Sequence, residues 1–257
     1  MENQNTNNNL MICVLEERFR DKAEKLADQL QVKLIRDWSE AKPENLVLRL
    51  DSEGIALVRD KMILQGDFTQ MLPRLRNGFL QRELLVRAAK PKGITGIPTA
   101  VDATAGLGED AILLAASGFS VQLYEYDPII ALLLQDALDR AAEVPELKSI
   151  VSRMKLFSED SITALHNLKE KPDFILLDPM FPARQKSALI KKKFQLLQQL
   201  ESPCTDEEEL LNAAIAAGPR KIAIKRPIKA PCLANHKPDY SIKSKVIRYD
   251  CLVFPRT

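Results

Sequence analysis

The chain has 257 residues, 46% of them hydrophobic, and a formal net charge of +2, which allows one α/β domain plus a small additional one and excludes a fibrous or disordered protein. No apolar run approaches the length of a membrane span, and Cys13, Cys204, Cys232 and Cys251 are scattered without a C-x-x-C pair, with only two histidines to assist them. Reduced structural thiols are expected, and no metal site. The near-neutral total hides an asymmetry, because Pro219 to the end carries ten Lys/Arg against Asp239 and Asp250, so one portion of the chain suits a polyanion.

Residues 1–9 are polar and Asn-rich, without a basic segment or an apolar signal core, and read as a disordered tail on a cytoplasmic protein. Leu10 to Leu15 reads as a strand, Glu16 to Gln31 as a helix with its stripe at Phe19, Ala23, Leu26, Ala27 and Leu30, and Val32 to Trp38 as a second strand. Leu46–Leu50 and Ile55–Arg59, joined by Asp51-Ser52-Glu53-Gly54, form a hairpin signal. Residues 10–70 are thus expected to be a small N-terminal α+β domain, its last clear strand ending near Asp60. Residues 71–98 follow as a basic helix and linker, with Arg74, Arg76, Arg82, Arg87, Lys90 and Lys92 against the single acid Glu83, and a helix over 80–89. A solvated face and a nucleic-acid contact at Arg74 and Arg76 read equally well there.

From Thr99 onward strand and helix signals alternate. Strands are predicted over 99–103, 119–125, 153–157, 173–178, 221–225 and 245–253, and helices over 108–117, 128–142, 160–169, 186–200 and 206–217. This period implies a mostly parallel, Rossmann-like α/β sheet over 99–257, with ligands at the carboxyl ends of the strands. The residues at those ends are Asp102, Glu125, Asp160 and Asp178.

Val101-Asp102-Ala103-Thr104-Ala105-Gly106-Leu107-Gly108-Glu109-Asp110 reads as strand, glycine turn and helix start, with Ala111 completing G-x-G-x-x-A. Glycines let a ligand approach the backbone, and the helix start offers unpaired N–H groups. A dinucleotide and S-adenosylmethionine both use such a turn. Asp102 before the glycines and Glu109-Asp110 after them favour the cationic cofactor, since a pyrophosphate would face carboxylates at close range. Glu125, ending the next strand, is placed for ribose hydroxyls in either case.

Phe174-Ile175-Leu176-Leu177-Asp178-Pro179-Met180-Phe181-Pro182 is a buried strand running into an acid, two prolines and a ring. Asp178-Pro179-Met180-Phe181 occupies the place of the Asn/Asp-Pro-Pro-Tyr/Phe motif of methyltransferases acting on exocyclic base amines. Asp178 and the Pro179 carbonyl are the candidate acceptors that aim the nitrogen lone pair, and Phe181 the ring that stacks on an extruded base. Arg184, Lys186 and Lys191 follow at once, and Lys225-Arg226 closes the next strand on the same edge, a cationic set suited to RNA phosphates.

These blocks, together with Gln185-Lys186-Ser187-Ala188-Leu189 and with Ile224-Lys225-Arg226-Pro227 followed by Pro231, Leu233, Ala234 and Asn235, closely resemble the ribosomal RNA small-subunit methyltransferase J family over roughly residues 70 to 253. The resemblance implies a class I S-adenosylmethionine-dependent methyltransferase fold and N2-methylation of one guanosine in 16S ribosomal RNA, with that RNA or the small subunit as partner. It implies cofactor contacts at Glu109-Asp110, Glu125-Tyr126, Asp160-Ser161 and Asp178, beside Asp102, Gly106 and Gly108 of the turn. The chain departs from the family at Glu109, where Arg is frequent, and over Arg76–Arg82, where a glycine-rich basic stretch is usual. Two other readings stand beside this one: an NAD(P)-dependent oxidoreductase, and an RNA-binding assembly factor without turnover.

Overall fold

The structure, a computed structural model, describes residues 9–90, 93–179 and 206–254. It begins with a five-stranded sheet made of β1 (Leu10–Val14), β2 (Lys33–Ile35), β3 (Leu46–Asp51), β4 (Gly54–Arg59) and β5 (Met62–Leu64), with α1 (Arg20–Leu30) between β1 and β2. Its order is β2-β1-β3-β4-β5, parallel from β2 through β3 and antiparallel from β3 to β5. The hairpin signal at 46–59 pairs as read, while β5 was not anticipated from its three residues. Short helices follow in α2 (Leu72–Leu75) and α3 (Leu84–Ala89). The expected helix over 80–89 is broken at Glu83, where an extended ψ separates a 3-10 turn over Leu80–Arg82 from α3.

The second sheet holds β6 (Thr99–Asp102), β7 (Ser120–Tyr124), β8 (Met154–Phe157), β9 (Phe174–Leu177), β10 (Lys221–Pro227), β11 (Tyr240–Lys243) and β12 (Ile247–Val253). Between them run α4 (Glu109–Ala116), α5 (Pro128–Ala142), α6 (Pro145–Val151), α7 (Ser161–His166) and α8 (Glu207–Ala216). The order is β11-β12-β10-β9-β6-β7-β8, parallel from β10 to β8, with β12 antiparallel between β10 and β11. The last two strands form a hairpin where one strand over 245–253 was expected, and α6 was likewise missed. The helix expected over 186–200 lies outside the described residues. Because the chain leaves β6 in one direction along the sheet and returns to β9 on its other side, β6 and β9 flank the topological switch point, the ligand crevice of such sheets.

Local chemistry explains the elements. Phe174–Leu177 is buried throughout, as a central parallel strand covered on both faces must be. Asp127 caps α5 by accepting the Ile129 and Ile130 N–H groups, with Pro128 in the first turn, and Asp206 caps α8 through Glu209.

Helix α5 also joins the two sheets. Ile129 and Leu133 share a core with Leu48, Leu57 and Leu64 of the first sheet, and buried Asp136 accepts the Ile55 N–H at 3.0 Å while pairing with Arg140 at 2.8 Å. Asp136→Ala is expected to cost about 2 kcal/mol, the value of charged hydrogen bonds lost from a buried position. Urea denaturation with Leu134→Val as a packing control checks it.

Candidate active site

The site assembles at the carboxyl ends of β6, β7, β9 and β10. The turn after β6 is closed by Gly108 N–H donating to the Ala105 carbonyl, and α4 starts directly on Gly108, whose φ is +76°. A Cβ at Gly108 would lie 2.8 Å from Leu134 Cδ1 and 3.0 Å from Phe68 Cζ, so packing as well as backbone conformation demands glycine. Gly106 has φ +53° and meets nothing within 4 Å on its Cβ side. That open face is where a ligand can approach the backbone.

Carboxylates dominate the surroundings. Asp102 is 1% exposed and accepts only the Thr104 N–H among the described residues; burial, with Asp110 beside it, pushes its pKa up to about 7. Glu125 is also buried, accepting the Gly106 N–H at 2.8 Å and the Asp127 N–H at 2.9 Å, and burial raises it to about 7 against those hydrogen bonds. Its ties to Gly106 link the end of β7 to the glycine turn. Asp178 follows β9; its N–H donates to Thr104 Oγ1 at 2.7 Å, binding the end of that strand to the same turn. Burial raises its pKa, partly countered by Lys225.

Lys225, near the end of β10 and next to β9, reaches Asp110 Oδ2 at 2.6 Å and Asp178 Oδ2 at 2.8 Å. Burial would lower its pKa, but the two carboxylates outweigh that and hold the ammonium charged. The expectation that Lys225 grips RNA is therefore corrected, since its charge is committed inside the site. Arg226 is corrected too: it is 2% exposed, bonding the Pro231 carbonyl and Glu207, and cannot reach a polyanion. Alternation along β10 turns it to the sheet face covered by α8. Arg74 forms a two-pronged pair with Glu83, while Arg76 is exposed.

The remaining expected cofactor residues lie around this centre. Glu109 opens α4 exposed, and Tyr126 is 68% exposed beyond β7. Asp160 caps α7 by taking the Thr163 N–H and hydroxyl, followed by Ser161, after a stacked Tyr124 and Phe157 whose centroids are 5.1 Å apart. Pro179 is buried beside Asp178. Phe181, Arg184, Lys186 and Lys191 lie outside the described residues. Sequence reading missed Thr104 and the Lys225 bridge. A lysine ending the buried run Ile222-Ala223-Ile224, beside strands ending in acids, was the signal for the latter.

Asp110 and Asp178 thus share one ammonium, with Asp102 in Coulomb range of it, leaving the crevice rich in carboxylates beside the open face of Gly106. A cationic cofactor fits that donor set, and a pyrophosphate does not. No group of three His, Cys, Asp or Glu side chains among the described residues is arranged to hold a metal ion, and no described helix is long and apolar enough to cross a membrane.

Residues 26–254 match the family described as "Putative SAM-dependent methyltransferase". The chain is 38% identical over 245 residues to a ribosomal RNA small subunit methyltransferase J of Thioalkalivibrio sulfidiphilus, covering 92% of this chain and 94% of that protein. It is 48% identical over 158 residues to the protein of that name in Aeromonas salmonicida, covering 61% of this chain and 64% of that one. The crystal structure of a SAM-dependent methyltransferase from Neisseria gonorrhoeae superposes with a TM-score of 0.71 at 27% identity, covering 95% of each chain.

Proposed function

This chain belongs to the SAM-dependent methyltransferase family that includes the ribosomal RNA small subunit methyltransferases J, and from that membership we propose that it methylates the exocyclic N2 amine of one guanosine in 16S ribosomal RNA, in the cytoplasm. The observation that carries the reading is the carboxylate-rich crevice between β6 and β9, in which Asp178 stands beside the open glycine turn.

S-adenosylmethionine, when bound, supplies an electrophilic methyl group on a cationic sulfur. The residues that would hold it are those of the turn, Asp102, Gly106 and Gly108, with Glu125 for the ribose hydroxyls and Asp160-Ser161, Tyr126, Glu109 and Asp110 around them. Their acidity suits a ligand with positive charge. An exocyclic amine is a weak nucleophile because its lone pair is delocalised into the ring. Asp178 and the Pro179 carbonyl would each accept one N–H, which localises the lone pair and directs it. With Lys225 on Oδ2, the Oδ1 oxygen of Asp178 is the one for the amine, and the same carboxylate takes the proton shed after transfer. Positioning supplies much of the acceleration.

Titration calorimetry with S-adenosylmethionine, followed by transfer to under-methylated small subunits and mass spectrometry of the mapped nucleoside, tests the reading. Methylation at adenine N6, or on no RNA, would refute it. Preferential binding of a nicotinamide dinucleotide would point to the oxidoreductase, and RNA binding without transfer to an assembly factor.

A pH effect follows from the carboxyls that titrate at about 7, Asp102 and Glu125. Both are partly protonated in the free protein at neutral pH, and a cationic ligand favours their charged forms. Cofactor affinity is therefore expected to rise about tenfold between pH 6 and pH 8 for each such group that ionises on binding, then to level off. Calorimetry in buffers of different ionisation enthalpy should show proton release, and a flat profile would contradict it.

A further inference from the structure

The segment between α2 and α3 carries a surface feature that the methyl-transfer site does not use. Phe79 is 61% exposed and lines a groove of about 400 Å³ with Pro73, Arg74, Arg76, Arg82, Glu83 and Leu84. The neighbouring charges are unevenly committed. Arg74 is tied to Glu83 through both Nε and Nη2, at 2.8 and 2.9 Å, whereas Arg76 and Arg82 are exposed and form no ion pair among the described residues.

The groove adjoins the site. Arg74 lies within Coulomb range of Asp110 and Glu109 at the start of α4, and Phe68, just before α2, packs against Gly108 of the turn. The Arg74 wall of the groove is thus near the start of α4, the helix whose Asp110 pairs with Lys225 in the crevice.

We propose that this groove is a docking site for single-stranded RNA next to the methylated base, with Phe79 stacking on a flanking base and Arg76 and Arg82 gripping the phosphates on either side. The inference rests on the RNA methyltransferase reading above. A ring between two uncommitted guanidinium groups offers what a single strand needs: a stacking face that tolerates any base, and point charges for the backbone. A peptide partner would call for an unpaired strand edge or a longer apolar stripe. Beyond Phe79, Pro73 and Leu84 the lining holds three arginines against the single acid Glu83, which Arg74 already pairs.

The test uses the full chain and its Phe79→Ala, Phe79→Trp and Arg82→Ala variants. Binding of a labelled ten-nucleotide single-stranded RNA is followed by fluorescence anisotropy across salt concentrations, and S-adenosylmethionine binding by calorimetry. Phe79→Ala is expected to weaken RNA binding about tenfold, Phe79→Trp to retain it, and Arg82→Ala to lower the slope of log K against log salt by about 0.7, with cofactor affinity unchanged throughout. RNA affinity of Phe79→Ala within about twofold of the parent would overturn the groove. So would an equal loss in Phe79→Trp. Failure of the parent chain to methylate small subunits would instead refute the functional reading, whereas normal methylation with an RNA KM indifferent to Phe79 refutes the groove alone.

Discussion

Replacing Asp178 with asparagine is expected to slow methyl transfer about a hundred- to a thousandfold, the range for deleting one preorganised polar group at a reacting centre. The amide keeps the volume and the backbone N–H to Thr104 Oγ1, so the strand end stays tied to the glycine turn. What it loses is the charged acceptor. An amide whose oxygen stays on Lys225 turns its NH2 donor toward the site and leaves Asp110 as the only anionic partner of the ammonium. Single-turnover transfer to under-methylated small subunits measures the rate, and calorimetry measures the cofactor. A rate within about fivefold of the parent would remove Asp178 from the chemistry. A large loss of cofactor affinity with an unchanged transfer rate would confine it to binding.

Lys225→Met has the other large effect. It keeps the aliphatic reach of the side chain but leaves Asp110 and Asp178 without the cation between them, and breaking a largely buried pair in this way costs about 3 kcal/mol of stability. Its effect on activity has a distinct signature. Lys225 pulls the Asp178 pKa down against the burial that raises it. Without the ammonium the carboxyl holds its proton to higher pH, so the acidic limb of the rate profile moves upward and activity recovers as pH rises. A merely structural lysine would lower the rate equally at every pH. Lys225→Arg keeps the charge and should restore the parent profile, making Lys225 a positioning residue.

Much of this arrangement was legible from the chain. The glycine turn, the acids after successive strands and the Asp-Pro motif are local patterns, since each is set by neighbours a few residues apart. The parallel sheet followed from alternating strand and helix signals, but the terminal hairpin did not. Tyr240–Lys243 is mostly exposed and short, and only its ladder with Cys251 to Arg248 makes it a strand. Helix α6 escaped for a similar reason: its seven residues carry little periodicity, and Leu147 and Val151 become core only when placed against α4 and α5.

Charge was where sequence reading misled. Lys225 and Arg226 look alike beside the lysines upstream, yet one closes a carboxylate pair across strands and the other is buried against Glu207. Composition counts cations without saying which are already neutralised. By the order of its residues alone the chain determined a Rossmann-like sheet with an acidic glycine turn and an Asp-Pro strand end, because those features depend on local backbone geometry and on periodic burial. Tertiary structure alone decided which charges remain exposed and which hold the site together, because an ion pair is made by distance in space, and Lys225 stands 115 residues along the chain from Asp110.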